Sequence, residues 1–270
     1  MAIYKIKEID VHVEIWNEAE KETLVLLHGF TGATTTWHEI VELLPTSKRI
    51  IAVDLLGHGK TAVDVEPIHY EMDGQLSILH ELMYALHVQN CTLLGYSMGG
   101  RIALSYALRY PDQVDQLILE SASPGLENEV DRLARIENDE KLAKRIEQDG
   151  LEAFITFWQN IPLFATQRKL SNIQQLKLRE ERSNQNGKGL TLSLRHMGTG
   201  KMPPLWHMLE AAPIPILLIT GELDPKFVNI ANQICQKNEN IKQIVIPQVG
   251  HAIHVENPQK FATIVKETIF

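Results

Sequence analysis

The 270-residue sequence predicts one α/β domain: a mostly parallel sheet with helices on both faces, carrying a helical insertion. Three observations predict it. Short, continuous apolar runs such as Thr23–Leu27 (TLVLL) and Arg49–Val53 (RIIAV) end in turn residues, as strands buried on both faces do. The segments between such runs carry apolar residues at helical spacing. Between about residues 124 and 212 the alternation stops, and no β-branched run occurs there.

Along the chain, Ala2–Ile6 and residues 11–16 read as two early strands joined by a turn, followed by the runs at 23–27 and 49–53. Residues 73–87 place Leu76, Leu79, Leu82, Met83 and Leu86 at helical spacing. Residues 91–94 (CTLL) form a strand, 98–110 a helix stopped by Pro111, and 114–119 the next strand. Residues 214–220 and 243–246 are two late strands, and 231–235 and 258–269 lie in helices. The expected division is a core of residues 1–123 and 213–270 and a helical cap of residues 124–212.

Asp and Glu number 34 against 26 Lys and Arg, a net charge of −8, which argues against a general affinity for nucleic acid or anionic membrane. The first residues carry charges every few positions and no apolar h-region, and no stretch approaches the length of a membrane span. Cys91 and Cys235 show no metal-ligand spacing, so no metal site is expected. Two buried small hydrophobes in a reducing cytosol is the plain reading, hence a cytoplasmic globular protein. Residues 124–212 hold 13 of the 26 basic residues beside 12 acidic ones. Either these form a solvated helical face or they make an electropositive lid over an anionic substrate.

Gly95-Tyr96-Ser97-Met98-Gly99 fits G-x-S-x-G, with a strand before it and a helix after it. The motif requires that setting: a sharp strand-to-helix turn leaves the serine oxygen exposed at the head of the sheet. Serine needs a base, and the base an orienting acid. The chain order for this arrangement is Ser, acid, His. Asp224 follows the strand IPILLIT and His251 the strand QIVIP, both at strand ends where sites of open α/β sheets lie. Glu222 and Glu120 are rival acids, and His254 is an alternative base. An oxyanion hole needs two N–H donors. Met98, after the nucleophile, supplies one, and Phe30 in His28-Gly29-Phe30-Thr31-Gly32 is the candidate for the other. Asp54-Leu55-Leu56-Gly57-His58-Gly59 reads as a turn that shapes the fold more than the chemistry.

HGFTG, DLLGHGK, GYSMGGR, GELD and VGHAIHVENP stand in an order and at spacings that resemble the α/β-hydrolase fold superfamily along the whole chain. Lys60 and Thr61 depart from it, standing after Gly59 where many relatives have a serine. With ESASPGL, FWQNIPLFA and RSNQNG, the sequence most resembles the 2-succinyl-6-hydroxy-2,4-cyclohexadiene-1-carboxylate (SHCHC) synthases of menaquinone biosynthesis. That resemblance implies a Ser97–Asp224–His251 triad and Phe30 and Met98 as oxyanion donors. It also implies substrate contacts from Tyr96, Arg101, Arg135, Trp158 and Arg182. The residue types suit a substrate with several carboxylates, since guanidinium forks bind carboxylate bidentately. Arg101 lies four residues after Ser97, hence on the same helix face. Arg132 and Arg179 could replace their neighbours Arg135 and Arg182. The implied reaction is elimination of pyruvate without metal or organic cofactor. An ester or C–C bond hydrolase using the same triad is the alternative, and a non-catalytic ligand-binding relative a third.

Overall fold

The computed structural model describes residues 2–269. Its strands are β1 (Ala2–Ile6), β2 (Ile9–Trp16), β3 (Thr23–Leu27), β4 (Arg49–Val53), β5 (Cys91–Tyr96), β6 (Val114–Glu120), β7 (Ile216–Gly221) and β8 (Ile241–Ile246). They form one sheet in the order β1-β2-β4-β3-β5-β6-β7-β8. The pairs β1/β2 and β2/β4 are antiparallel, and all others are parallel. Helices α1 (His38–Leu43), α2 (Met72–Ala85), α3 (Met98–Arg109), α9 (Pro225–Cys235), α10 (Ile253–Glu256) and α11 (Pro258–Ile269) belong to the core. Between β6 and β7 stand α4 (Glu129–Asp149), α5 (Leu151–Trp158), α6 (Asn172–Ser183), α7 (Gly187–Met197) and α8 (Trp206–Leu209), with no strand among them.

The continuous apolar runs are explained by burial on both faces. Val25 and Leu27 of β3 pack in one core layer with Leu79 and Ile102. Leu24 and Leu26 pack in the opposite layer with Ile40 and Phe261. Alternate residues thus face opposite layers, and both must be apolar. The observed strands differ from the expected ones mainly at their ends. β5 continues to Tyr96, so the sheet delivers Ser97 directly. β7 starts at Ile216 because Pro215 has no N–H, although its carbonyl still accepts from Leu117 N–H at 3.0 Å.

The insertion has its own small core of Ala143, Ile146, Phe154, Ile155, Leu190 and Leu194, with Phe30 packed against it from below. Asn128, Ser171 and Asn186 cap α4, α6 and α7 through side-chain oxygens, which explains helix starts in so polar a segment. Its last part, Met202, Leu205, Trp206 and Leu209, is buried with the main core. Most of its charged residues are exposed, and several pair on the outside: Arg195 with Glu140 and Glu147, Arg179 with Glu152, Lys141 with Glu137. The solvated-face reading therefore holds for the bulk of the segment. It is docked by the RSNQNG stretch. Gln185 Oε1 accepts from Gly59 N–H at 3.0 Å, and a Cβ on Gly189 would lie 2.2 Å from Gly57 O.

Gly189→Ala should consequently destabilise the protein by about 1–3 kcal/mol, the range for overpacking a tight contact. A thermal melt should show a loss of several degrees. An unchanged melting temperature would mean that the segment does not depend on this backbone contact.

Candidate active site

β5 ends one residue before Ser97, and α3 begins one residue after it. Ser97 sits at φ 50°, ψ −102°, a strained conformation for a residue with a side chain. The turn closes only because glycines stand two residues to either side, at 95 and 99. A Cβ on Gly95 would lie 2.5 Å from Gly99 O, and one on Gly99 2.3 Å from Leu27 O. Ser97 N–H donates to Glu120 O at 2.8 Å, which locks the turn to β6.

Asp224 follows β7 and caps α9, its Oδ1 accepting from Phe227 N–H at 3.4 Å. Its Oδ2 accepts from His251 Nδ1–H at 2.7 Å, and His251 Nε2 accepts from Ser97 Oγ–H at 3.0 Å. These two partners demand that tautomer, with the imidazole a base toward Ser97. Asp224 and His251 are both buried. The rings of Phe227, Tyr96 and Phe164 surround the imidazole at 4.6, 5.5 and 6.2 Å. The rival groups are engaged elsewhere. Glu120 accepts from His254 Nδ1–H at 2.8 Å and from His254 N–H at 3.0 Å, and Glu222 accepts from Gln248 N–H at 2.9 Å.

The Phe30 loop is held by His28, the first residue of the HGFTG stretch. His28 Nδ1–H donates to Gly29 O at 2.7 Å, and His28 Nε2 accepts from Leu55 N–H at 3.0 Å. Burial pushes the His28 pKa down, and that of its neighbour His58 down to about 3. Neither Phe30 N–H nor Met98 N–H donates to an acceptor among the described residues. Both residues line the cavity over Ser97.

That cavity is lined by three cations, Arg101, Arg135 and Lys226, and by no aspartate or glutamate. Arg101 is buried. Its Nη1 donates to Met197 O at 2.8 Å, and no carboxylate bonds to it among the described residues. Burial first, then the charge of Arg135, lower its pKa, against the pull of Asp139. A guanidinium stays charged at neutral pH even so, which leaves an under-neutralised cation in the wall. Arg135 Nε donates to Asp139 Oδ1 at 2.8 Å. Trp158 stacks with Phe154 at 5.6 Å and meets Phe30 edge-on at 5.3 Å, and its buried indole N–H has no protein acceptor. Tyr96 also lines the cavity, and burial pushes its hydroxyl well above its ordinary pKa, so it stays a neutral phenol.

Arg182 lies one layer out. Its guanidinium covers the Phe164 ring at 4.9 Å and donates to Gln167 Oε1 at 2.9 Å, in a groove that shares Phe30, Tyr96 and Phe164 with the cavity. Arg132 donates to Glu127 O and Arg179 pairs with Glu152, so neither replaces its neighbour at the cavity. Sequence reasoning missed Phe164, Phe227 and Lys226. Phe164 stands within FWQNIPLFA, and Lys226 and Phe227 come directly after Asp224-Pro225, so adjacency to named residues was the available signal.

A family model for the alpha/beta hydrolase fold matches residues 22–258. The chain is 43% identical over 246 residues to a Bacillus subtilis (strain 168) protein provisionally named as an SHCHC synthase, covering 91% of this chain and 89% of that one. It is 34% identical over 239 residues to the SHCHC synthase of Enterobacter sp. (strain 638), covering 88% of each. Among solved structures, MenH from S. aureus superposes with a TM-score of 0.88 at 35% identity, covering 94% of this chain and 96% of that one.

His58 gives a test of the loop's neutral, buried histidines. Below about pH 6.5 the unfolded chain protonates this side chain, whereas the folded chain does not. The folded value is about 3. The stabilisation is therefore complete above the unfolded pKa and falls as pH drops, by about 1.4 kcal/mol per pH unit. His58→Gln should flatten the dependence of unfolding free energy on pH between about pH 6 and pH 4 in urea titrations. An unchanged slope would place the acid sensitivity elsewhere.

Proposed function

The chain belongs to the α/β-hydrolase fold family and, within it, to the SHCHC synthases, and from that premise we propose that it is a lyase of menaquinone biosynthesis. It eliminates pyruvate from 5-enolpyruvoyl-6-hydroxy-2-succinyl-cyclohex-3-ene-1-carboxylate to give SHCHC. The observation that carries this reading is a hydrolase-type triad opening into a cavity with three cations and no acid. Such a lining suits a substrate with several carboxylates and is superfluous for a neutral ester.

Comparing substrate with product, the ring loses the proton on carbon 2 and the enolpyruvoyl oxygen on carbon 5. The succinyl ketone acidifies the carbon 2 proton. The Ser97–His251 pair takes that proton, and the imidazolium is stabilised by Asp224. The C2–H electron pair becomes the C2=C3 bond, the C3=C4 pair moves to C4=C5, and the C5–O bond breaks. Enolpyruvate leaves and is protonated on carbon to pyruvate. Negative charge developing on the succinyl oxygen is met by Phe30 N–H and Met98 N–H.

Arg101 and Arg135 hold carboxylates, and the Trp158 N–H and Tyr96 hydroxyl supply further donors. Arg182 braces Phe164, and residues 124–212 act as the cap that contributes Arg135 and Trp158. The reaction moves a proton and shifts electron pairs with no net redox change, so it calls for neither metal nor organic cofactor. A small anionic substrate and an acidic protein fit an enzyme of the cytoplasm. No described helix is long and apolar enough to cross a membrane.

Incubation with the enolpyruvoyl precursor should release pyruvate, measured through a coupled lactate dehydrogenase. Absence of pyruvate, together with a burst on an activated ester, would favour a hydrolase that acylates Ser97. Ser97→Ala, His251→Ala and Asp224→Asn should each lower kcat by about three orders of magnitude or more. The Ser97/His251 double variant should be little worse than either single one, and multiplicative losses would refute a shared relay.

Removing one partner of a buried charge pair costs about 2–5 kcal/mol. Arg101→Ala and Arg135→Ala should thus lower kcat/KM on the precursor roughly 30-fold to several-thousand-fold. Their effect on a small neutral ester should be far smaller. Equal losses on both substrates would indicate a folding defect in place of a carboxylate contact.

A further inference from the structure

We propose that Lys226 is a third carboxylate subsite, holding the enolpyruvoyl carboxylate on the opposite side of the substrate ring from the Arg101/Arg135 pair. The inference rests on the function proposed above and extends it to a residue outside the family motifs.

The cations of the cavity are unevenly distributed. Arg101 and Arg135 form a pair: each is electrostatically coupled to Asp139, and Arg135 depresses Arg101. Lys226 takes no part in that cluster. It sits in the first turn of α9, two residues after Asp224, on the core side of the cavity. Its ammonium lies 5.5 Å from the centroid of the Phe227 ring, and that ring lies 4.6 Å from the His251 imidazole. The Phe227 ring thus contacts both the lysine and the base. It forms no ion pair with any described carboxylate.

The substrate has a matching distribution. The ring carboxylate on carbon 1 and the succinyl arm on carbon 2 are neighbours. The enolpyruvoyl arm on carbon 5 stands across the ring from carbon 2. Two clustered guanidiniums suit the neighbouring pair of anions, and one separate ammonium suits the distant one. The departing enolpyruvate gains negative charge as the C5–O bond breaks, so a cation at this end also assists departure. Lys226 is exposed, so its contribution is smaller than that of a buried arginine and is screened by salt.

The test uses the purified full chain, with the precursor as substrate and SHCHC as product inhibitor. Lys226→Gln should raise KM for the precursor about 3- to 30-fold at low ionic strength. The difference from the unsubstituted enzyme should shrink as salt is added, and Lys226→Arg should recover most of the loss. The inhibition constant of SHCHC, which has lost the enolpyruvoyl group, should not change in Lys226→Gln but should rise in Arg135→Ala.

An unaltered KM would overturn the proposal and leave Lys226 a solvated surface charge. An equal weakening of SHCHC binding would also overturn it, because the lysine would then contact a part of the substrate that stays behind. If the unsubstituted enzyme releases no pyruvate at all, the proposed function fails first, independently of Lys226.

Discussion

The site depends on one strained residue. Ser97 is held at φ 50°, ψ −102°, and every neighbouring choice in the sequence serves that conformation. The sheet must end at Tyr96, the helix must begin at Met98, and glycines must stand at 95 and 99 where backbone passes through the space of a side chain. Glu120 contributes twice. Its carbonyl accepts from Ser97 N–H, and its carboxylate accepts from His254 in α10, three residues after His251. A single buried residue at the end of β6 thus references nucleophile and base to the same point of the sheet.

That arrangement also resolves how two carboxylates and two histidines coexist beneath the cavity without confusion. Each acid has its own imidazole, Asp224 with His251 and Glu120 with His254, and each pair is shut away from water. Buried charges of this kind persist only when paired and hydrogen-bonded. With both acids committed below, the cavity above is lined by three cations and by no aspartate or glutamate. The cap supports this separation, turning Glu137, Glu140, Glu147 and Glu152 outward to Lys141, Arg195 and Arg179, while its buried Asp139 is held by Arg135.

Legibility in the sequence followed physical locality. Ser97, Asp224 and His251 could be located because each follows an apolar strand, and strand ends converge at one edge of a parallel sheet. Phe30 and Met98 could be named for the same reason. Depth in the cap could not be read, since it depends on which aromatic ring stands in front of which cation. Arg135 reaches the cavity, whereas Arg182, in an equally polar helix, is set behind Phe164. The glutamate at position 120 looked like a competitor for the triad because sequence shows only that it ends a strand. Its commitment to His254 is a tertiary fact. Lys226 carries no sequence signal of its own because a lysine in the first turn of a surface helix has an ordinary explanation, and only its place in the lining of the cavity sets it apart.

Phe30 joins two parts of the molecule that otherwise have separate interiors. Its ring packs into the small core of the insertion beside Phe154 and Trp158, while its amide belongs to the loop braced by His28. In evolutionary terms the insertion is therefore not free to drift as an independent ornament. Substitutions that repack its interior change the seat of the Phe30 ring, and through it the aim of a backbone N–H at the reacting centre. Lineages that reshape this segment for a new ligand must compensate at position 30, so covariation between that position and residues 154 and 158 is the trace such histories should leave.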